Sequence, residues 1–268
     1  MTHLDDTLGC STLWWADEPL TAERIDAMAQ AGVDSIEIAD YHPNVDYLTR
    51  SRFEELSEAI SDAGMTVATV HTHLAWHDPA LALTATDPEA LRTTVGVYRR
   101  AVDILSILGA DVLVTHDVNW PDAPSPSARA TVVDAIREIA DVASDTDVRI
   151  AIENTTSGWA SEIEHVVSLL DEIDHQAVGM VFDTAHAHRG YGDAVAGLEA
   201  AGSAPIVLHL NDSDGTTDHL LPGRGAIDWD RVIAQVRTAC PDAHRIYELA
   251  DADDLPALAD NVQWLLST

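Results

Sequence analysis

Apolar positions along this chain fall into two alternating rhythms. Short β-branched runs with little polar alternation predict strands at 7–13 (TLGCSTL), 35–39 (SIEIA), 66–71 (TVATVH), 111–116 (DVLVTH), 148–153 (VRIAIE), 178–183 (VGMVFD), 205–210 (PIVLHL) and 244–249 (HRIYEL). Such runs suit a parallel sheet covered on both faces. Helical spacing lies between them, near 21–31, 52–63, 89–108, 126–143, 161–172, 193–201, 229–239 and 254–266. Within 89–108, Leu91, Val95, Tyr98, Val102, Leu105 and Leu108 share one face at the 3.6-residue period. Gly32, Gly64 and Gly109 stand just past three of these helices, where a left-handed glycine ends a helix. Asp228 is placed to N-cap 229–239.

Eight strands alternating with eight helices over 1–268 predict a single (β/α)8 TIM-barrel domain, a fold that needs about 250 residues. A doubly wound open sheet is the alternative. It usually carries a Gly-rich phosphate turn after its first strand, and none follows 7–13.

Catalytic groups of such barrels lie at the C-terminal strand ends. Those ends carry His71-Thr72-His73, His116-Asp117, Glu153-Asn154, Asp183-Thr184-Ala185-His186, His209-Leu210-Asn211-Asp212 and Glu248. Each alone has an ordinary explanation: a surface carboxylate, a hydrogen-bonded loop histidine, an N-capping aspartate. Together they bring Glu153, Asp183 and Glu248 to one barrel mouth, where carboxylates repel one another and resist burial. A divalent cation removes that conflict. With neutral His209 the mixed oxygen and nitrogen set suits Mn²⁺, Co²⁺, Zn²⁺ or Mg²⁺.

The segments IENT, FDTAH, HLND and YEL, in that order on strands five to eight, resemble the xylose-isomerase-like TIM-barrel superfamily. That group holds sugar and sugar-phosphate isomerases and epimerases, and apurinic endonucleases of the endonuclease IV type. The resemblance covers essentially the whole chain. It implies one divalent metal per chain, held by Glu153, Asp183, His209 and Glu248, with Glu153 and Glu248 also serving as the acid/base pair and His186 touching substrate. In the endonuclease branch further histidines build a three-zinc cluster; the positions resembling them are His71, His116, His186 and His219. That branch also uses an Asp two residues before the last His. Thr217 stands there, and Asp218 is one residue out of step.

The implied activity is metal-dependent isomerisation or epimerisation of a sugar or sugar phosphate, by proton transfer through an enediolate. Alternatives on the same site are metal-dependent phosphodiester hydrolysis, a dehydratase acting on a polyol or dehydroshikimate-like acid, and a silent binding barrel. Trp14, Arg189 and Arg224 are candidate substrate contacts, although Arg224 within Pro222-Gly223-Arg224-Gly225 also reads as a turn residue. Trp15, Trp76 and Trp120 fall on the same rim. Glu37 on the second strand is either a site residue or a buried structural carboxylate.

Composition narrows these readings. Acids number 46 against 14 basic residues, all of them Arg, giving a net charge of −32. Nucleic-acid binding needs a basic face that displaces counterions, and an anionic membrane surface needs the same; neither is present in the sequence. Partners are therefore expected to be small sugar-like molecules, with homo-oligomerisation left open. Spread acid without Lys suggests a surface adapted to a high-salt cytoplasm. Cys10 and Cys240 show no CxxC spacing and read as reduced intracellular thiols. No signal-peptide pattern or membrane-length apolar run is visible, so a cytoplasmic location is expected.

Overall fold

Side chains on a strand alternate between its two faces, and that parity decides what this barrel points inward. The computed structural model describes residues 8–15, 18–40, 49–250 and 255–267, save the side chains of Trp76, His77 and Leu266. Residues 7 and 254, at the edges of two predicted elements, lie outside the described residues. The strands are β1 (Gly9–Ser11), β2 (Ser35–Ala39), β3 (Thr66–Thr72), β4 (Val112–Thr115), β5 (Arg149–Glu153), β6 (Val178–Asp183), β7 (Pro205–Leu210) and β8 (His244–Tyr247). They pair in parallel in sequence order, and β8 closes on β1. The surrounding helices, in chain order, are α1 (Ala22–Gln30), α2 (Arg50–Asp62), α3 (Pro88–Leu108), α4 (Pro126–Ser144), α5 (Ile163–Ile173), α6 (Ala194–Ala201), α7 (Trp229–Ala239) and α8 (Leu255–Ser267). The expected (β/α)8 barrel is the observed fold. No helix among the described residues is long and apolar enough to cross a membrane.

Local chemistry explains the helix ends. Asp87 and Ser125 cap α3 and α4 ahead of Pro88 and Pro126 at the first helical turn, where proline costs no hydrogen bond. Asp228 accepts from the Arg231 amide to start α7, as the sequence predicts. Gly109 ends α3 at φ 70°, in the left-handed region that glycine enters freely.

Two cores result. A large one lies between strands and helices. A small one fills the barrel with Ala68, Val112, Val114, Ala151, Val181, Val207 and Ile246. At Gly9 an added Cβ would fall 2.5 Å from Ile246 Cδ1 and 2.6 Å from Ser35 Oγ, so a larger residue there would force those side chains to shift. Glu153, Asp183, His209 and Glu248 each stand two residues beyond an inner-core residue, namely Ala151, Val181, Val207 and Ile246. Parity therefore aims all four inward at the C-terminal mouth. The β6–β7 pairing slips by one residue between Met180 and Val181, which sets Asp183 against His209; without that slip it would meet Leu208. Bulges of this kind re-aim side chains beside sites.

Candidate active site

The four predicted ligands converge. Glu153, Asp183, His209 and Glu248 are all buried, and one ligand atom from each lies within 4.8 Å of all the others. His209 Nδ1 is 3.2 Å from Glu153 Oε1, 3.2 Å from Glu248 Oε2 and 3.9 Å from Asp183 Oδ2. Glu248 Oε2 and Glu153 Oε2 have no hydrogen-bond partner although buried. Three buried carboxylates around one imidazole, with two orphaned oxygens among them, form a donor set that fits a divalent cation.

Neighbouring residues hold these ligands. Asp183 Oδ2 accepts from Asn211 Nδ2 at 2.7 Å, and Asp183 Oδ1 accepts from the His186 amide at 2.6 Å. Asp183 thus caps the helical turn Thr184–His186 while presenting its carboxylate to the cluster. Asn154 braces the Asp183 backbone. On β2, Glu37 is fully buried, and its Oε2 lies 3.1 Å from His209 Nε2.

The additional histidines lie on two sides. His71 Nε2 is 3.1 Å from Glu153 Oε2, and its Nδ1 is 3.4 Å from Glu248 Oε1. Both contacts miss hydrogen-bond geometry, so both ring nitrogens are buried without a bonded partner. His71, His73 and His116 form a second group of potential ligands, and His186, Asp218 and His219 a third. Asp218, one residue out of step in sequence, still reaches the third group, but it is also ion-paired with Arg189. His219 takes φ 55°. It is held there by the paired backbones of Asp212 and Leu220, and its Nδ1 lies 3.2 Å from the Glu248 carbonyl.

Electrostatics divide the histidines. Burial opposes charge on His186, yet the Asp183 and Glu153 carboxylates push its pKa up to about 10. Burial likewise opposes charge on His71 and His209, and their surrounding glutamates hold both well above the usual histidine range. His116 drops to about 4 through burial and the neighbouring His71, and burial drives His73 down as well. Asp117 is pushed up to about 6 by burial, against a hydrogen bond from Tyr98.

A cavity of about 670 Å³ opens above the cluster. Glu153, Glu248, His71, His116, His186 and His219 line it, joined by Leu13, Asn119 and the 155–157 hydroxyl loop. No arginine is among its described lining residues. Trp14 is buried and packs edge-on against Trp15, and it is Leu13 that faces the cavity. Arg224 is exposed on its loop. Trp120 packs edge-on against Trp159, and the Trp76 side chain lies outside the described residues.

This rim set can hold a divalent cation beneath the cavity, with two carboxylates bordering both. Residues 25–268 match the family model described as xylose isomerase-like TIM barrel. The chain belongs to that family. Among its relatives, L-ribulose 3-epimerase of Methylomonas sp. is 26% identical, over 76% of this chain and 72% of that one. Inosose isomerase of Bacillus velezensis is 21% identical, over 75% and 77%. A probable endonuclease 4 of Methanoculleus marisnigri is 31% identical, over 48% and 51%. Among solved structures, D-psicose 3-epimerase of Clostridium cellulolyticum H10 with D-tagatose superposes with TM-score 0.78 at 17% identity, covering 97% of both chains. That likeness speaks for the fold.

Sequence reasoning quoted Asn154, Asn211 and Asp212 in its motifs without giving them work. Asp212 is the anchor of the loop after β7. Its carboxylate accepts from Ser213 N, Gly223 N, Ile227 N and Trp229 Nε1. An acid two residues past the apolar strand Pro205–Leu210 was the available signal.

Proposed function

We propose that this member of the family is a divalent-metal-dependent isomerase or epimerase of a sugar or sugar-like polyol. The observation that carries the reading is that Glu153 and Glu248 both contact His209 Nδ1 and both line the same cavity. They stand on β5 and just beyond β8, so a substrate seated above the cluster meets a carboxylate from each side. The epimerase and isomerase names of the relatives support the same class.

Glu153, Asp183, His209 and Glu248 would hold the cation, which supplies Lewis acidity to a substrate carbonyl and its adjacent hydroxyl. One glutamate takes the proton from the neighbouring carbon, leaving an enediolate. The other returns a proton: to the opposite face of the same carbon for epimerisation, or to the next carbon for isomerisation. His186, charged above neutral pH by its carboxylate neighbours, donates toward substrate oxygen.

The test is solvent-deuterium incorporation into a panel of ketoses, with metal content measured alongside. Wild type should carry close to one ion per chain and exchange one carbon-bound proton. Glu153→Gln and Glu248→Gln should each abolish exchange while circular dichroism stays unchanged. Normal exchange in either variant overturns the acid/base assignment.

A second reading, phosphodiester hydrolysis, is favoured by one observation: the His71, His73, His116 group and the His186, Asp218, His219 group beside the main cluster. Close to three ions per chain, with cleavage of abasic DNA, would favour it. The net charge of −32 opposes it, because a DNA-binding face needs cations.

A further inference from the structure

Glu37 belongs to none of the four strands that supply the proposed ligands, yet it is fully buried against one of them. A buried carboxylate persists only where something compensates it. Its Oε2 accepts from Thr69 Oγ1 at 2.7 Å and lies 3.1 Å from His209 Nε2. The other ring nitrogen of His209, Nδ1, faces Glu153, Asp183 and Glu248. The β2–β3 pairing slips by one residue between Ile36 and Glu37, so that Glu37 meets Thr69 and not Ala68. Ala68 remains in the inner core while the Thr69 hydroxyl turns to the carboxylate. The backbone is bulged at the place where this contact is made.

We infer that Glu37 is a positioning residue: it holds His209 in the tautomer that carries its proton on Nε2, leaving Nδ1 free to ligate a divalent cation. The inference rests on the metal site proposed above. A neutral imidazole has one donor and one acceptor nitrogen, and ligation requires the acceptor to face the ion. The remaining N–H then needs a buried acceptor, and Glu37 Oε2 stands in line for it. Thr69 keeps that oxygen from rotating away. Such outer partners typically change metal affinity roughly 10- to 100-fold when removed.

The experiment is calorimetric titration of the full chain with Zn²⁺ and with Mn²⁺, for wild type, Glu37→Gln and Glu37→Ala. Stoichiometry should stay at one ion per chain. Affinity should fall in the order wild type, Gln, Ala, because the Gln amide oxygen still accepts the Nε2 proton; the Ala loss should be roughly 10- to 100-fold. A ¹⁵N-histidine NMR spectrum of the wild-type Zn²⁺ form should show His209 protonated on Nε2, and this readout needs no variant to fold. Thr69→Val should weaken binding less than Glu37→Ala. Equal affinity in wild type and Glu37→Ala overturns this inference and leaves the functional reading standing, as does a proton on Nδ1. Two ions in wild type falling to one in Glu37→Ala also overturns it, making Glu37 a ligand of a second ion. A wild type that binds no divalent ion overturns the functional reading and this inference together.

Discussion

Asn154 and Asp183 face each other as a reciprocal pair: Asn154 Nδ2 donates to the Asp183 carbonyl at 3.1 Å, and Asn154 Oδ1 accepts from the Asp183 amide at 2.9 Å. The side chain continues the β5–β6 ladder by one rung, at the point where β5 has already ended. It fixes the backbone of a proposed ligand without using that ligand's carboxylate. Asn154→Ala strands a buried amide and carbonyl, which costs about 1–3 kcal/mol. Urea unfolding should show that loss, and Mn²⁺ titration should show weaker binding as Asp183 loses its register. Unchanged stability and affinity would mean the pair is incidental.

The barrel was legible because its elements are locally consistent. Strands 35–39, 178–183 and 205–210 have the ends the sequence predicts, since apolar runs there stop at turns and caps. Strand 244–249 shortens to His244–Tyr247, and the first strand to three residues, because ladder pairing is settled by neighbours and not by composition. Glu153, Asp183, His209 and Glu248 were legible as acids and a histidine at the C-terminal ends of predicted strands, and as one ligand set through the family resemblance. The roles of Glu37 and Asp212 were not, because each depends on a partner far along the chain, His209 for one and the 223–229 segment for the other. Arg189 illustrates the same limit: a lone arginine on a rim loop gives no hint in sequence that Asp218 takes it.

Asp212 holds its loop with four accepted hydrogen bonds, three from backbone amides and one from Trp229 Nε1. Gly225 passes so close that an added Cβ would sit 2.3 Å from Asp212 Oδ1 and 2.4 Å from the Ser213 carbonyl. Asp212→Ala should cost about 3 kcal/mol or more, as several charge-assisted bonds are lost together. Gly225→Ala should destabilise in the same direction by forcing the loop off its anchor. Both variants should become cleavable by protease between residues 213 and 228, and His219 should lose its place above Glu248. Resistance equal to wild type in Asp212→Ala would refute the anchoring role.

Cys10 and Cys240 should be inert in the native protein. Burial, with the Glu37 carboxylate beside it, pushes the Cys10 thiol well up, and burial pushes Cys240 up to about 11 against the pull of Arg245. The thiolate is the reactive form, so a raised pKa removes it at neutral pH and burial blocks access. A disulfide-exchange reagent at pH 8 should react only as fast as the chain unfolds, and should count two thiols in urea. Fast native labelling of either cysteine would contradict the packing.

Removing divalent ions should lower stability. Glu153, Asp183 and Glu248 then share one buried pocket with only histidine charge to offset them. A ligand that binds only the folded chain, at about 100 times its dissociation constant, stabilises by about 2.7 kcal/mol. Thermal unfolding with excess chelator, then with Mn²⁺ restored, should show a reversible fall and recovery. Asp183→Asn should shrink the gap between the two curves. Superimposable curves in wild type would argue against a resident cation.

Salt should act in the opposite direction from its usual effect on surface ion pairs. Ion pairs such as Arg50–Glu54, Arg99–Glu138 and Arg129–Glu172 are attractive, and screening weakens them. With 46 acids against 14 arginines, however, most acids can find no cation, and the dominant long-range term is repulsion. Screening that repulsion stabilises the compact state. We therefore expect the melting temperature to rise steadily from dilute buffer to molar KCl, with Mn²⁺ saturating throughout so that the metal site does not contribute. Replacing exposed acids such as Glu58 or Asp62 by Lys should flatten the curve, because each swap removes a repelling charge and adds an attracting one. A melting temperature independent of KCl would mean that the acidic surface is not an adaptation to salt.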